Sequence, residues 1–149
     1  MGKMNILIVL FILLTGCSSP PEESSPFSVS ISAPEQVLVD EDFAITAQLT
    51  HSGEPEESYV LEGRENIFYF LIKNSEGNLV NSLAIHDLGL VRTASGNILA
   101  EEDYIYKFKE PGTYIISAVA EFSWIQGDER SSYSLETELK RITVASSSE

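Results

Sequence analysis

One thiol, two imidazoles and two short acidic runs are the side chains with chemistry to offer in this sequence. The thiol is Cys17, the only cysteine. No intrachain disulfide is therefore open to the chain, and a folded domain must be held by its core alone. Cys17 closes the run Leu14-Thr15-Gly16-Cys17, directly behind an apolar stretch from Ile6 to Leu14, with Lys3 ahead of it. A short positive segment, an apolar core and small residues before one fixed point have the layout of a cleaved export signal. The apolar core is too short for an ordinary transmembrane span.

The imidazoles are His51 and His86. A metal site needs three or four converging ligands, which two separated histidines do not supply. His51, beside Ser52-Gly53, reads as a solvated loop residue. His86-Asp87 sets an imidazole-orienting carboxylate next to an imidazole, but neighbours within one strand point to opposite faces. No Gly-x-Ser-x-Gly elbow supplies a nucleophile, so the chain is read as non-enzymatic. Asp40-Glu41-Asp42 and Glu101-Glu102-Asp103 could give hard oxygens to Ca²⁺ if their two turns share an end. The Asp-x-Asp-x-Asp-Gly loop is absent, and both runs read as solvated turn acids that discourage edge pairing. No metal and no cofactor is expected. Trp124, the only tryptophan, lies near Tyr133 at the end of a predicted strand. The two form a candidate binding surface for a protein or a sugar, with a corner-filling tryptophan as the other reading.

The elements that would position these residues are strands. Phe27, Val29, Ile31 and Ala33 alternate with serines until Pro34 and Glu35 break the run. Phe43, Ile45, Ala47 and Leu49 form a second alternating set. Ile67 to Ile72 is apolar on both faces, the mark of a central strand. Asn74-Ser75-Glu76-Gly77-Asn78 is a turn, and Leu79 to Leu83 is expected to return as the hairpin partner. Tyr104, Tyr106 and Phe108 alternate, as do Tyr114, Ile116, Ala118, Ala120 and Phe122. Residues 84–101 could be a strand or an irregular crossing, and Gly89 and Gly96 argue against a helix there. Leu135 to Val144 closes the domain, with a phase slip between Leu139 and Ile142 that suggests a bulge or a change of sheet. About seven to eight short strands without a helical period predict an all-β fold, an antiparallel β-sandwich of immunoglobulin-like type. Ser18 to Pro26 holds only Ser, Pro and Glu and is expected to be extended and mobile, like the tail 146–149.

With nine Lys and Arg against 23 Asp and Glu, the formal charge is −14. Such a surface repels phosphates and anionic headgroups, which excludes nucleic-acid binding and a polybasic membrane patch. The acidity reads as solubility at a crowded surface, with recognition of a cation or a basic partner as the other reading.

The Leu-small-Gly-Cys pattern closely resembles the bacterial lipoprotein signal. That resemblance implies export, cleavage before Cys17 and lipidation (palmitate among the acyl chains) of its sulfur. The protein would then sit on the extracytoplasmic face of the cell membrane, or of an outer membrane if the host has one. It divides the chain into a signal peptide (1–16), a lipidated cysteine with a Ser/Pro/Glu linker (17–26), a sandwich (27–145) and a tail (146–149). Lys109-Glu110-Pro111-Gly112-Thr113-Tyr114 resembles the E–F corner of an immunoglobulin-like sandwich, with Pro111 and Gly112 turning the chain and the Tyr114 hydroxyl bonding back to upstream backbone. Phe43-Ala44-Ile45-Thr46-Ala47, Ser52-Gly53-Glu54-Pro55 and Phe68-Tyr69-Phe70-Leu71-Ile72, with that corner, resemble the YtkA-like lipoprotein domains. Some relatives carry His and Met after the penultimate strand, implying copper handling, but Phe122-Ser123-Trp124-Ile125-Gln126-Gly127-Asp128 has neither. The hairpin Phe68–Val80 is similar to BsuPI-type proteinase inhibitors. The expected function is a membrane-anchored, non-catalytic binding module of the cell envelope. The alternatives are a proteinase-inhibitor-like module acting through loop 74–78 or 54–58, and a metal-handling accessory protein.

Overall fold

The computed structural model describes residues 25–53, 58–83 and 89–146. The expected signal, Cys17, most of the linker, His86-Asp87 and the last three residues lie outside the described residues. The described strands, in chain order, are β1 (Phe27–Ser32), β2 (Gln36–Leu38), β3 (Asp42–His51), β4 (Ser58–Lys73), β5 (Leu90–Ser95), β6 (Ile98–Lys107), β7 (Gly112–Gln126), β8 (Glu129–Glu136) and β9 (Lys140–Ala145). They form two sheets, β1-β3-β6 and β2-β9-β7-β4-β5, with β8 also paired to β7. The result is an all-β, immunoglobulin-like sandwich.

Alternation decides which side of each strand is buried. Phe27, Val29 and Ile31 of β1 lie opposite His51, Leu49 and Ala47 of β3 and turn inward with them. The facing sheet supplies Leu61, Phe68, Phe70 and Ile72 from β4, and Tyr114, Ile116, Ala118, Ala120 and Phe122 from β7. Each fully buried side chain of this kind contributes about 1.5–3 kcal/mol. The outer face of the three-stranded sheet is polar. Thr46 donates to Asp103 at 2.6 Å, Gln48 donates to Glu101, and Ser28 and Thr50 share a 2.7 Å bond.

Several elements differ from the expectation. The described strands number nine, because Pro34 and Glu35 do more than end β1. Proline removes a ladder donor, the chain leaves the first sheet, and β2 joins the second beside β9 as its one parallel pair. Three residues were too few to show alternation. The phase slip before Ile142 is neither a bulge nor a change of sheet. β8 and β9 pair with successive halves of the same edge of β7. Thr137 bridges the gap, its N–H donating to the Ala118 carbonyl at 2.9 Å and its Oγ1 accepting from the Ala118 N–H at 3.0 Å.

Leu79–Leu83 does not return as a strand. After a single bridge, Lys73 to Leu79, the side chain of Asn81 takes the place of a partner. Its Oδ1 accepts from the Ile72 N–H and its Nδ2 donates to the Phe70 carbonyl, both at 2.8 Å. Asn81 is buried, so it closes part of an edge that would otherwise template another chain. Replacing Asn81 by Ala leaves a buried N–H and C=O of β4 without partners, a loss of about 1–3 kcal/mol. Chemical denaturation is expected to show it, whereas Ser75→Ala at the exposed hairpin tip should stay within about 0.5 kcal/mol of the parent.

Candidate functional site

The sequence Gly63-Arg64-Glu65-Asn66 interrupts an otherwise apolar strand, and the sheet registers the interruption. Gly63 lies opposite Phe122 and Phe68 opposite Ala120. Arg64 to Ile67 therefore face Glu121 alone, a wide bulge whose backbone groups lose their ladder partners. Buried backbone groups must be paired, and bulges re-aim the chain beside functional sites.

Two inward-pointing charges do the pairing. Arg92 of β5 lies opposite Leu61 and Glu102 of β6 opposite Ala47, both in rows that face the core. Arg92 Nη2 donates to the Arg64 carbonyl at 2.9 Å and to that of Glu65. Glu102 accepts from the Ile67 N–H at 2.7 Å and the Phe68 N–H at 3.2 Å, one oxygen for each. Outside, Arg64 pairs with Glu121 at 3.1 Å and lies 5.8 Å from the Tyr69 ring centroid, while the Tyr69 hydroxyl donates to Glu121 at 3.3 Å. Burial pushes the Glu102 carboxyl above its ordinary range, more than the two backbone bonds and the Arg92 charge hold it down. Burial, followed by the Glu121 charge, pushes the Tyr69 phenol up.

Between bulge, β6 and the segment after β4 lies a cleft of about 320 Å³. Phe70 and Tyr104 wall it as a stacked pair, 5.1 Å apart and 12° from parallel. Asn81, Ser82, Glu102 and Asp103 supply its polar lining. A shallower groove of about 500 Å³ runs over the outer face of β4, β7 and β8. There the charges are already matched, Arg130 to Glu62 at 3.0 Å and Arg64 to Glu121.

His51 is not the solvated loop residue that its neighbours Ser52-Gly53 suggested. It ends β3 on the inward row, 9% exposed, within ring contact of Phe27 (4.9 Å), Tyr59 (4.4 Å) and Trp124 (5.9 Å). Its Nδ1 accepts from the Gly53 N–H at 2.7 Å, and its Nε2 is buried without a partner. Gly53 has to be glycine, since a Cβ there would collide with the His51 ring and the Tyr59 hydroxyl. Trp124 and Tyr133 join the same cluster half-buried, 5.4 and 4.8 Å from the Phe27 ring. Pro111 and Gly112 are exposed, and the Tyr114 hydroxyl donates to the Glu110 carbonyl at 3.0 Å.

The two acidic runs do not converge. Asp40 and Asp42 pair with Lys109 at 2.7 Å and Lys107 at 3.3 Å. The second run is not a turn but lies within β6, where Glu101 and Asp103 face outward and Glu102 inward. Asp42 and the residue opposite Glu102 stand five positions apart on β3, about 17 Å. Among the described residues no three His, Cys, Asp or Glu side chains gather to hold a metal. The tip 74–78 is a closed turn in which Asn74 Oδ1 accepts from the Glu76 and Asn78 N–H groups at 3.1 and 2.9 Å. Residues 54–57 lie outside the described residues.

No family model and no curated protein matches the chain. Solved structures resemble it in fold. The structural-genomics target SoR45 aligns at 12% identity over 80% of this chain and 88% of its own, with a TM-score of 0.49. The CARDB domain of a Pyrococcus furiosus protein aligns at 14% identity over 80% and 94%, with a TM-score of 0.42. A crystal structure of that domain in complex with di-metal ions aligns at 13% identity over 80% and 87%, with a TM-score of 0.41.

Glu102 leaves a signature in pH. Its folded-state pKa lies above its ordinary 4.5, so across the interval from 4.5 upward the folded chain holds more of this proton than the unfolded one. The contribution of this group to stability falls as pH rises through that interval. Glu102→Gln removes the titration. Its stability relative to the parent is expected to improve between pH 4 and pH 7 in thermal melts. A difference that is flat or declining with pH contradicts the raised pKa.

Proposed function

We propose that the protein is a lipid-anchored, extracytoplasmic binding module without catalytic activity. The observation that carries the binding part is the cleft beside the clamped bulge. At about 320 Å³ it falls at the small end of ligand pockets, about 300–1,000 Å³. Its walls are held by groups already engaged with backbone. Glu102 has each oxygen on an N–H and Arg92 is spent on carbonyls, so neither is poised as a general base or acid. His51, the histidine among the described residues, has no free ring nitrogen facing solvent.

The anchoring part rests on Leu14-Thr15-Gly16-Cys17 and its resemblance to the lipoprotein signal. Fully extended, the ten steps from Cys17 to Phe27 reach about 35 Å from the bilayer. The tether would enter the body at Phe27, in the aromatic cluster. The Phe70 end of the cleft lies six β7 residues away, from Trp124 to Ala118, about 20 Å, so cleft and tether do not compete for space. Lipid confinement raises the local concentration of such a module near envelope partners without adding a contact.

A proteinase-inhibitor reading finds no extended loop at 74–78, where the turn is closed by its own hydrogen bonds. Protease clefts and sheet edges take extended segments. The YtkA-like likeness stays within this proposal as a relationship of architecture.

Fractionation tests the anchor. The parent chain in a bacterial host is expected in the membrane fraction and to incorporate labelled palmitate. Cys17→Ser is expected to lose the label and the cleavage before residue 17. Unchanged processing and unchanged label in Cys17→Ser would sink the lipoprotein reading.

A further inference from the structure

The cleft has a chemistry of its own beyond being a place to bind. Its charged lining is Arg64, Glu65, Glu102 and Asp103, and the one cation among them leans outward onto Glu121 and the Tyr69 ring. Asp103 turns outward to Thr46 and Glu65 is exposed, so the inward charge of the cleft is the Glu102 carboxylate. Glu102 is half-buried on the inward row of β6. A carboxylate has about four acceptor sites, and the backbone of the bulge uses two. Arg92, the inward cation nearby, directs Nη2 at carbonyl oxygens, and among the described residues no ion pair to Glu102 forms. Glu102 therefore keeps unspent acceptor capacity in a partly desolvated place, where a charge-assisted hydrogen bond is about twice as strong as a neutral one. The volume suits one long side chain or a small molecule, not a folded segment.

We propose that this cleft receives a single Lys or Arg side chain of a basic protein partner. The charged head meets Glu102, and the methylene stem lies along Phe70 and Tyr104. Apolar stems against ring walls with charged heads on carboxylates are the ordinary way these amphipathic side chains are held. The ring walls are edges and partly covered faces, since Tyr104 stacks on Phe70 on one side and on Tyr106 (5.9 Å) on the other. Such walls suit a flexible stem better than a sugar ring, which needs an open aromatic face. The formal charge of −14 adds complementarity at range, steering a basic partner toward the body before any contact forms. The inference rests on the reading of the cleft as a binding site and adds the class of its occupant.

The test uses the full chain in detergent micelles and fluorescent pentapeptides with Lys or Arg at the centre of a Gly/Ser sequence, read by anisotropy at low salt. Matched peptides carry acetyl-lysine or norleucine at the centre. The cationic peptides are expected to bind at least tenfold more tightly than the matched neutral ones. Glu102→Gln should weaken the cationic peptides about tenfold, and Ser82→Trp, which crowds the exposed rim without touching Glu102, should weaken them as much. Glu129→Gln, an exposed acid on β8, removes the same unit of charge and is expected to change binding less than twofold. Equal losses in Glu102→Gln and Glu129→Gln, with no loss in Ser82→Trp, would mean attraction by net charge alone and would overturn the assignment. Equal binding of lysine and acetyl-lysine peptides that Ser82→Trp abolishes would also overturn it, while leaving the cleft a binding site for a neutral ligand. The circular dichroism melt of each variant identifies any loss that comes from unfolding.

Discussion

The arrangement of this protein depends on one mismatch of length. Between two matched stretches of β4 and β7, four residues on one strand face a single residue on the other. A sheet can absorb extra chain only by pushing it off the ladder, and backbone taken off the ladder must find other partners or lose the stability of folding. The partners here are a guanidinium and a carboxylate, Arg92 and Glu102, one from an edge strand of each sheet. They point into the sandwich at its rim, where a charge is usually costly. Each satisfies what the bulge presents on its side, the cation its carbonyls and the anion its N–H groups.

That exchange bridges the two sheets on this side. In the core-facing row of Ala100, Glu102, Tyr104 and Tyr106 on β6, Glu102 reaches the backbone of the bulge on β4 and carries a desolvation cost that an apolar side chain would not. Beyond the bulge, Asn81 holds the edge of β4 with its side chain in place of a strand. A side chain is narrower than a paired strand, and the space left beside it is the cleft. Cleft, bulge and truncated edge are thus three aspects of one structural choice. The outward charges are correspondingly quiet. Asp40, held below its usual range by its bond to Lys109, and the Arg130–Glu62 pair are surface pairs of the kind that add little to stability.

The sheet-forming strands were legible because alternation is a local property. β1, β3, the second halves of β4 and β6, and β7 could all be read from side-chain periodicity, and the tyrosine near the start of β7 from its Pro-Gly lead. What escaped depends on distant pairing. The three residues of β2 are too short to alternate. Arg92 acquires a facing only through its position opposite Leu61, which nothing local announces. Glu102 was within reach, since extending the Tyr104, Tyr106, Phe108 phase back by two places it inward, but its acidic neighbours made the run look like a turn. His51 was misread for the same reason. Ser and Gly after it signalled a loop, while its parity with Leu49, Ala47 and Ile45 put it in the core.

The far end of the sandwich answers a different demand. Gly53 donates its N–H to His51 Nδ1, so the neutral ring carries its proton on Nε2. That N–H is buried and has no oxygen or nitrogen to receive it, an omission that costs about 1–3 kcal/mol. Around it stand Phe27, Tyr59 and Trp124, whose ring faces offer only weak acceptance. The return is area. Phe27 alone touches His51, Phe122, Trp124 and Tyr133 through ring contacts of 4.8 to 5.4 Å, each such pair adding about 0.5–1.5 kcal/mol beyond burial. Phe27 is the first residue of the first strand, the point where a tethered body would feel any pull on its linker. A first strand of six residues, paired on one side only, would fray there if held by hydrogen bonds alone. Rings packed around an imidazole hold it by dispersion and burial, which do not depend on the direction of a pull, so this end of the first strand is fixed without relying on its ladder bonds.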